Sequence, residues 1–239
     1  MKGNFPTPNI FSEMKGLVFA FSSTLDGDMR DGHVREQFVA TRSMVKPSLV
    51  IMGQVHGTRV QDVSEMNETL ELPHTDGIVR KARVGEPPVF VGVRVADCVP
   101  IFAVDSKTRI YGVAHAGWKG VLGKVTVNLL QKMKSLGAEK SNIRIFVGPH
   151  ICPTCYSVQD DRARRFLSAY STHVVKQTDK GNFLDLAKAI RTDCLAEGIP
   201  EDHMETSEIC TSCGRWPSFS YRKNKGVLEG EMMGILGFV

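Results

Sequence analysis

The sequence predicts an α+β fold built on mixed β-sheets with flanking helices, and three observations predict it. Short apolar runs of strand character recur along the chain, only a few segments carry a helical period, and the two kinds alternate without a strict βαβ rhythm. Residues 16–22 read as a strand and 35–45 as a short helix. Residues 48–53 and 58–63 read as strands on either side of a tight turn at Gly57 that carries His56. Residues 89–95 and 99–104 form an apolar stretch interrupted only by Ala96-Asp97-Cys98. Such a polar break marks a bulge or a strand end that presents a side chain.

The clearest unit is 109–137. A strand from Arg109 to Ala114 runs into His115-Ala-Gly-Trp-Lys-Gly and then into one helix. Val121, Val125, Leu129 and Met133 recur every four residues on its apolar face, and Gly137 is placed to stop it. A strand at 143–148 follows, then helices near 160–169 and 184–197, the second stopped by Gly198 and Pro200. Strands near 205–210 and 217–222 and an apolar tail from Met232 to Val239 complete the pattern.

With 239 residues, 42% hydrophobic and 23% charged, the chain has the size and composition of a globular protein with a proper core. No apolar run approaches the roughly 18 residues of a membrane span. The first residues, with prolines and an acid, do not resemble a signal peptide, so a cytoplasmic protein with six reduced cysteines is expected. A net charge of +4 with scattered basic residues argues against a nucleic-acid footprint and for no membrane partner. It suits a pocket for a small anion equally well.

His56, Cys98 and His115 carry the chemistry. Each follows a strand-like run and sits beside a glycine-rich or acidic turn. Two imidazoles and a thiolate give a zinc ion three ligands and leave its fourth tetrahedral position open, the pattern of catalytic rather than structural sites. Copper could occupy the same donors. Asp97, a charge in an apolar stretch beside Cys98, is the candidate proton shuttle. The Gly117–Gly120 turn at a helix start, with Lys119, is a candidate anion site, and Arg59 and Arg222 are further candidate phosphate ligands. Trp118, after the glycine turn, is a candidate aromatic platform or a core anchor. The same residues also allow a metal-free reading in which Cys98 is a nucleophile and His115 its base, in a hydrolase or deamidase.

Two CxxC pairs, Cys152–Cys155 and Cys210–Cys213, allow a third reading, a non-catalytic binding protein stabilised by structural zinc. Their separation is far longer than the roughly 15–20 residues of an ordinary zinc ribbon. Cys194 reads as core. His33, His173 and His203 read as loop residues, while His74 and His150 neighbour the interesting turns. With seven histidines and no His-x-His, a true multicopper cluster is the weakest option.

Six segments, taken in order, resemble one family: Gln54-Val-His-Gly57, Thr75-Asp-Gly77, Ala96-Asp-Cys98, His115-Ala-Gly-Trp118, Gly148-Pro-His-Ile151 with Cys155-Tyr156, and Phe219-Ser-Tyr-Arg222. They are similar to the YfiH-type, laccase-domain or "polyphenol oxidase" proteins, described as purine nucleoside enzymes. The resemblance implies a single YfiH-like domain over residues 1–239, with two mixed sheets and flanking helices, similar in fold to a bacterial toxin deamidase. It implies zinc at His56, Cys98 and His115, with copper in older descriptions. It further implies phosphorolysis of adenosine, inosine and 5′-methylthioadenosine to free base and ribose 1-phosphate, with adenosine deamination. The implied partners are a purine nucleoside and phosphate, in a monomer or homodimer. Two positions depart from the family pattern: Ser157 stands where Glu is common, and Glu231 follows Gly230 where Arg is usual.

Overall fold

The computed structural model describes residues 5–239. Its first half contains β1 (Leu17–Phe21), α1 (Gly32–Ala40), β2 (Ser48–Gly53), β3 (Val60–Asp62), β4 (Leu70–Pro73), β5 (Gly77–Lys81), β6 (Val89–Val95) and β7 (Val99–Asp105). Then come β8 (Ile110–Ala116), α2 (Trp118–Leu122), α3 (Val125–Ser135), β9 (Ile143–Val147), β10 (Ser157–Val158) and α4 (Asp160–Tyr170). The last are β11 (Val175–Thr178), β12 (Gly181–Leu184), α5 (Leu186–Ala196), β13 (Met204–Thr206) and β14 (Met232–Phe238).

Two large mixed sheets form, as expected. One runs β1-β14-β6-β2-β4 and the other β13-β9-β7-β8-β5-β3. In the first, β2 pairs in parallel with both β6 and β4, while β14 is antiparallel to its neighbours. In the second, the β13–β9 and β3–β5 pairs are parallel and the rest antiparallel. A small antiparallel sheet, β10-β12-β11, was not foreseen.

Both large sheets are covered on both faces, which is why β6, β7, β8 and β14 read as continuous apolar runs rather than alternating ones. Phe102, Val104, Tyr111 and Val113 point from the six-stranded sheet toward Phe19, Val50, Val91 and Leu236 of the other, making the inter-sheet core. The opposite face of the six-stranded sheet, with Ile101, Ala103, Ala114 and Ile145, packs against Val121, Leu129, Phe166 and Ile190 of the helices. The outer face of the five-stranded sheet is covered by Phe38 and Val39 of α1.

Several sequence expectations are corrected. The first helix starts at Gly32 rather than 35, because the Asp31 carboxylate caps it by accepting from the His33 and Val34 N–H groups. It ends at Ala40, well before Pro47. The single helix expected after His115 is two. Lys124 adopts φ 68° and breaks it, and its ammonium is held by Asp193 at 2.7 Å. A Cβ at Gly123 would lie 2.5 Å from Thr58, so α2 rests directly on the turn that follows His56. Residues 217–222 form a loop, not a strand, and 205–210 pair only over Met204–Thr206 plus an isolated bridge from Cys210 to His150. Among the described residues no helix is long and apolar enough to cross a membrane.

Three connections run from the five-stranded sheet to the six-stranded one: β2 to β3, β4 to β5, and β6 to β7. The apolar stretch 89–104 is therefore two strands of different sheets, and Ala96-Asp97-Cys98 is the crossing between them. The inter-sheet gap is set by close packing at β14. A Cβ at Gly234 would overlap the Phe102 ring and stand 2.9 Å from Phe21. Gly234→Ala is expected to destabilise the protein by about 1–3 kcal/mol, the cost of overpacking a dense core. The check is a lower urea midpoint with an unchanged denaturant slope.

Candidate active site

The three sheet-to-sheet crossings deliver His56, Asp76 and Cys98 to one place, and the end of β8 brings His115 there. One ligand atom from each of His56, Cys98 and His115 lies within 4.8 Å of the others. The His56 and His115 rings meet edge to face, 4.8 Å between centroids. His115 is buried, Cys98 half-buried and His56 exposed, so the cluster is closed toward the core and open toward solvent. His56 and Asp97 both hold positive φ, 59° and 95°. That conformation costs about 1–3 kcal/mol at a non-glycine residue and is retained where the surroundings fix it.

At His56, Asp76 is what fixes it. The carboxylate is fully buried and accepts four hydrogen bonds. The His115 Nδ1 and the His56 backbone N–H reach Oδ1 at 2.9 Å each. The Gly57 and Val55 N–H groups reach Oδ2 at 2.7 and 3.2 Å. Because a carboxylate only accepts, Nδ1 of His115 carries the proton and Nε2 is left free for a metal or for Cys98. Burial alone would raise the Asp76 carboxyl, but the His115 hydrogen bond and the turn amides outweigh it and hold it below its usual range.

The thiol and imidazole also shift each other. Burial pushes Cys98 up, yet the charge and hydrogen bond of His115, with a further hydrogen bond from His56, bring it down to about 6. Burial pushes His115 down, yet Cys98 and Asp76 raise it to about 9. Without metal the pair is therefore a thiolate and an imidazolium at neutral pH. Two imidazoles and one thiolate at this spacing, one imidazole backed by a carboxylate, are a fitting donor set for zinc or copper. Gly117 belongs to the same design. A Cβ there would come within 2.8 Å of the His56 ring and 3.2 Å of the Cys98 sulfur.

A cavity of about 330 Å³ opens over the cluster, within the range of small-molecule sites. Ile151, Leu186 and Tyr156 give it an apolar side, while Arg162, Arg222 and Glu231 bring charge. Arg222 lies over the Tyr156 ring at 4.9 Å and donates to the Ser157 carbonyl at 2.9 Å. Arg162 lies 4.1 Å over Trp118 and donates to the Tyr156 hydroxyl at 3.2 Å. Glu231 pairs with Arg94 at 3.4 Å.

Of the sequence-predicted residues, His56, Cys98, His115, Asp97 and Arg222 line this cavity, and Arg59 and Lys119 do not. Arg59 borders a separate shallow groove beside α3. Lys119 is exposed, and the glycines around it serve close packing: Gly120 lies against the Gly57 carbonyl, and α2 is only five residues long. Asp97 has both oxygens engaged, one by the Thr211 hydroxyl at 2.6 Å and one by the Arg222 N–H at 2.7 Å. These two bonds tie the Cys98 turn to two loops. Trp118 has a guanidinium over its ring and packs against the helical core. Ser157 is exposed and meets the site only through its carbonyl, whereas Glu231 does face the cavity. His74 is exposed, and His150 is buried with its Nδ1 on the Gly148 carbonyl.

Sequence reasoning missed the role of Asp76, although Thr75-Asp-Gly77 was noticed as a motif. The available signal was a carboxylate placed immediately before an apolar strand. Tyr156 and Glu231 stood out in sequence only by comparison with the family pattern, and Arg162, far from the ligands, carried no signal of its own.

Comparison with known proteins agrees with this architecture. The solved structure of a hypothetical protein YfiH from Bacillus licheniformis superposes with a TM-score of 0.83 over 95% of this chain and 94% of that one, at 23% identity. The structure of YlmD from Geobacillus stearothermophilus superposes at 0.80 over 94% and 93%, at 28% identity. In sequence, the chain is 34% identical over 198 residues to a protein named purine nucleoside phosphorylase YlmD from G. stearothermophilus, covering 77% of this chain and 70% of the relative. It is 31% identical over 186 residues to one named adenosine deaminase RL5 from an unknown prokaryotic organism, covering 73% and 70%. The family model described as multi-copper polyphenol oxidoreductase laccase matches residues 23–238, and the chain belongs to that family, the one that includes the YfiH proteins.

Proposed function

We propose that this chain is a zinc-dependent purine nucleoside enzyme that phosphorolyses adenosine, inosine and methylthioadenosine to free base and ribose 1-phosphate, and also deaminates adenosine. The observation that carries the reading is the His56–Cys98–His115 donor set opening into a cavity with both apolar and cationic walls. Relatives named for phosphorolysis and for adenosine deamination support it.

His56, Cys98 and His115 would hold the metal, and Asp76 orients His115 and keeps its Nε2 available. A zinc ion held there supplies Lewis acidity that makes a bound water or substrate oxygen more acidic. Arg222 and Arg162 provide the positive charge for phosphate, with planar forks suited to its oxygens. Ile151, Tyr156 and Leu186 offer apolar surface to the purine and exclude water from one side of it. In phosphorolysis the C1′–N9 bond breaks with its electron pair leaving on the purine, a bond forms from C1′ to a phosphate oxygen, and the proton that hydrogen phosphate gives up is taken by the departing purine. In deamination, water adds at C6 and ammonia leaves. Glu231, half-neutralised by Arg94, places a carboxylate in the cavity, where it can accept from a ribose hydroxyl or a purine N–H.

One specific observation favours a second reading, a metal-free Cys98–His115 hydrolase. Asp76, His115 and Cys98 are arranged as carboxylate, imidazole and thiol, with the thiol shifted down to about 6.

Three outcomes test these readings. Purified protein incubated with adenosine should yield adenine and ribose 1-phosphate only when phosphate is present, and inosine without it. Cys98→Ala should yield neither. Absence of all three products from zinc-replete wild type would refute the purine reading. Asp76→Asn should lower zinc affinity by about 10–100-fold in a chelator competition, since it removes the charge that orients His115. Arg222→Met should raise the KM for phosphate by about 10-fold or more while leaving phosphate-free deamination nearly unchanged.

The thiolate gives a pH test as well. In metal-free protein, alkylation of Cys98 by iodoacetamide should be fast at pH 7 and slow as the pH falls through about 6, where the thiolate is protonated. Zinc should block it. Full activity of metal-free protein, abolished by that alkylation, would favour the hydrolase.

A further inference from the structure

The two CxxC pairs, unused by the catalytic cluster, converge. Although 58 positions separate Cys152 from Cys210, one sulfur from each of Cys152, Cys155, Cys210 and Cys213 lies within 4.8 Å of the others. The Cys152 and Cys213 sulfurs are 3.8 Å apart. A zinc–sulfur bond of about 2.3 Å gives a tetrahedron whose edge is about 3.8 Å. That spacing is far from the roughly 2.05 Å of a disulfide.

The backbone is shaped for thiolates. The Cys210 sulfur faces three backbone N–H groups, those of Cys152 at 3.2 Å, Ser212 at 3.4 Å and Cys213 at 3.5 Å. A neutral thiol is a weak acceptor, whereas a thiolate is favoured by such donors. The turn is too tight for any residue but glycine at its end: the Gly214 N–H donates to the Cys210 carbonyl at 2.9 Å, and a Cβ at Gly214 would overlap that oxygen. We infer that Cys152, Cys155, Cys210 and Cys213 form a second, structural zinc site with four thiolate ligands and no open position.

This site braces the wall of the catalytic cavity. Ile151 and Tyr156, which line the cavity, flank the first pair. Thr211, inside the second pair, donates to Asp97 beside Cys98, and the Ile151 N–H donates to the Asp97 carbonyl at 3.1 Å. The metal would therefore staple the 150–156 segment to the 207–214 loop, where the described backbone offers only an isolated bridge between His150 and Cys210. The assignment is independent of the nucleoside reading, since it uses neither the cavity nor its chemistry.

The test is metal analysis of the full chain carrying His56→Ala and His115→Ala, which dismantles the catalytic donor set. One zinc per chain should remain, and its X-ray absorption should show four sulfurs at about 2.3 Å. Cobalt substituted into the same variant should show the intense thiolate-to-cobalt bands of a tetrathiolate site. Cys213→Ser in the otherwise native chain should lose one zinc equivalent and lower the Tm by about 5–10 °C. The proposal is overturned if the double variant holds no zinc, if nitrogen or oxygen ligands appear, or if mass analysis finds Cys152 and Cys213 disulfide-bonded in freshly purified protein. The cobalt spectrum decides the matter even if the cysteine variant does not fold.

Discussion

The Asp76 carboxylate is the interaction on which the site depends. Fully buried, it is stabilised by three amides of the 55–57 turn and by His115. Each bond to an ionised acceptor in a dry environment is stronger than a neutral one, and together they offset the cost of burying the charge. The same four bonds force the His56 backbone into its left-handed conformation and fix the tautomer of His115. One side chain thus sets two of the three candidate donors, and its absence would leave orphaned amides as well as a free imidazole.

The sheets explain why this happens at one place. Because β2, β4 and β6 run parallel, the three crossings leave the five-stranded sheet at the same end, and residues distant in sequence arrive together: His56 on the first, Asp76 on the second, Cys98 on the third. The crossing at Cys98 is held by Asp97, whose two oxygens bind the Thr211 hydroxyl and the Arg222 amide. Dense packing at Gly117, Gly120 and Gly123 then presses α2 onto the His56 turn. The cavity is what remains between these turns, α4 and the loop before β14.

Much of this was legible in the sequence. The strands at 17–21, 48–53, 89–95, 99–105 and 110–116 were readable because buried strands are apolar throughout, and the three donors because each follows such a run. The short strands 70–73 and 77–81 were not, since Pro73 and the polar Thr75-Asp76 mask them. The break at Lys124 was hidden because the apolar period of the helix continues across it. Arg59 and Lys119 were plausible by charge alone, but charge in a sequence does not say which side of a turn faces a cavity. Asp97 was noticed for the right reason, an acid in an apolar stretch, and its hydrogen bonds assign it to holding the turn.

The proposed function requires that His56, Cys98 and His115 hold a metal beside a bound nucleoside. An anomalous difference map from crystals of zinc-loaded protein soaked with adenosine tests that directly. The expected result is a zinc peak bonded to both rings and the Cys98 sulfur, with the nucleoside in the cavity against Ile151 and Tyr156. An absent peak at those three residues, or a nucleoside bound away from them, would contradict it.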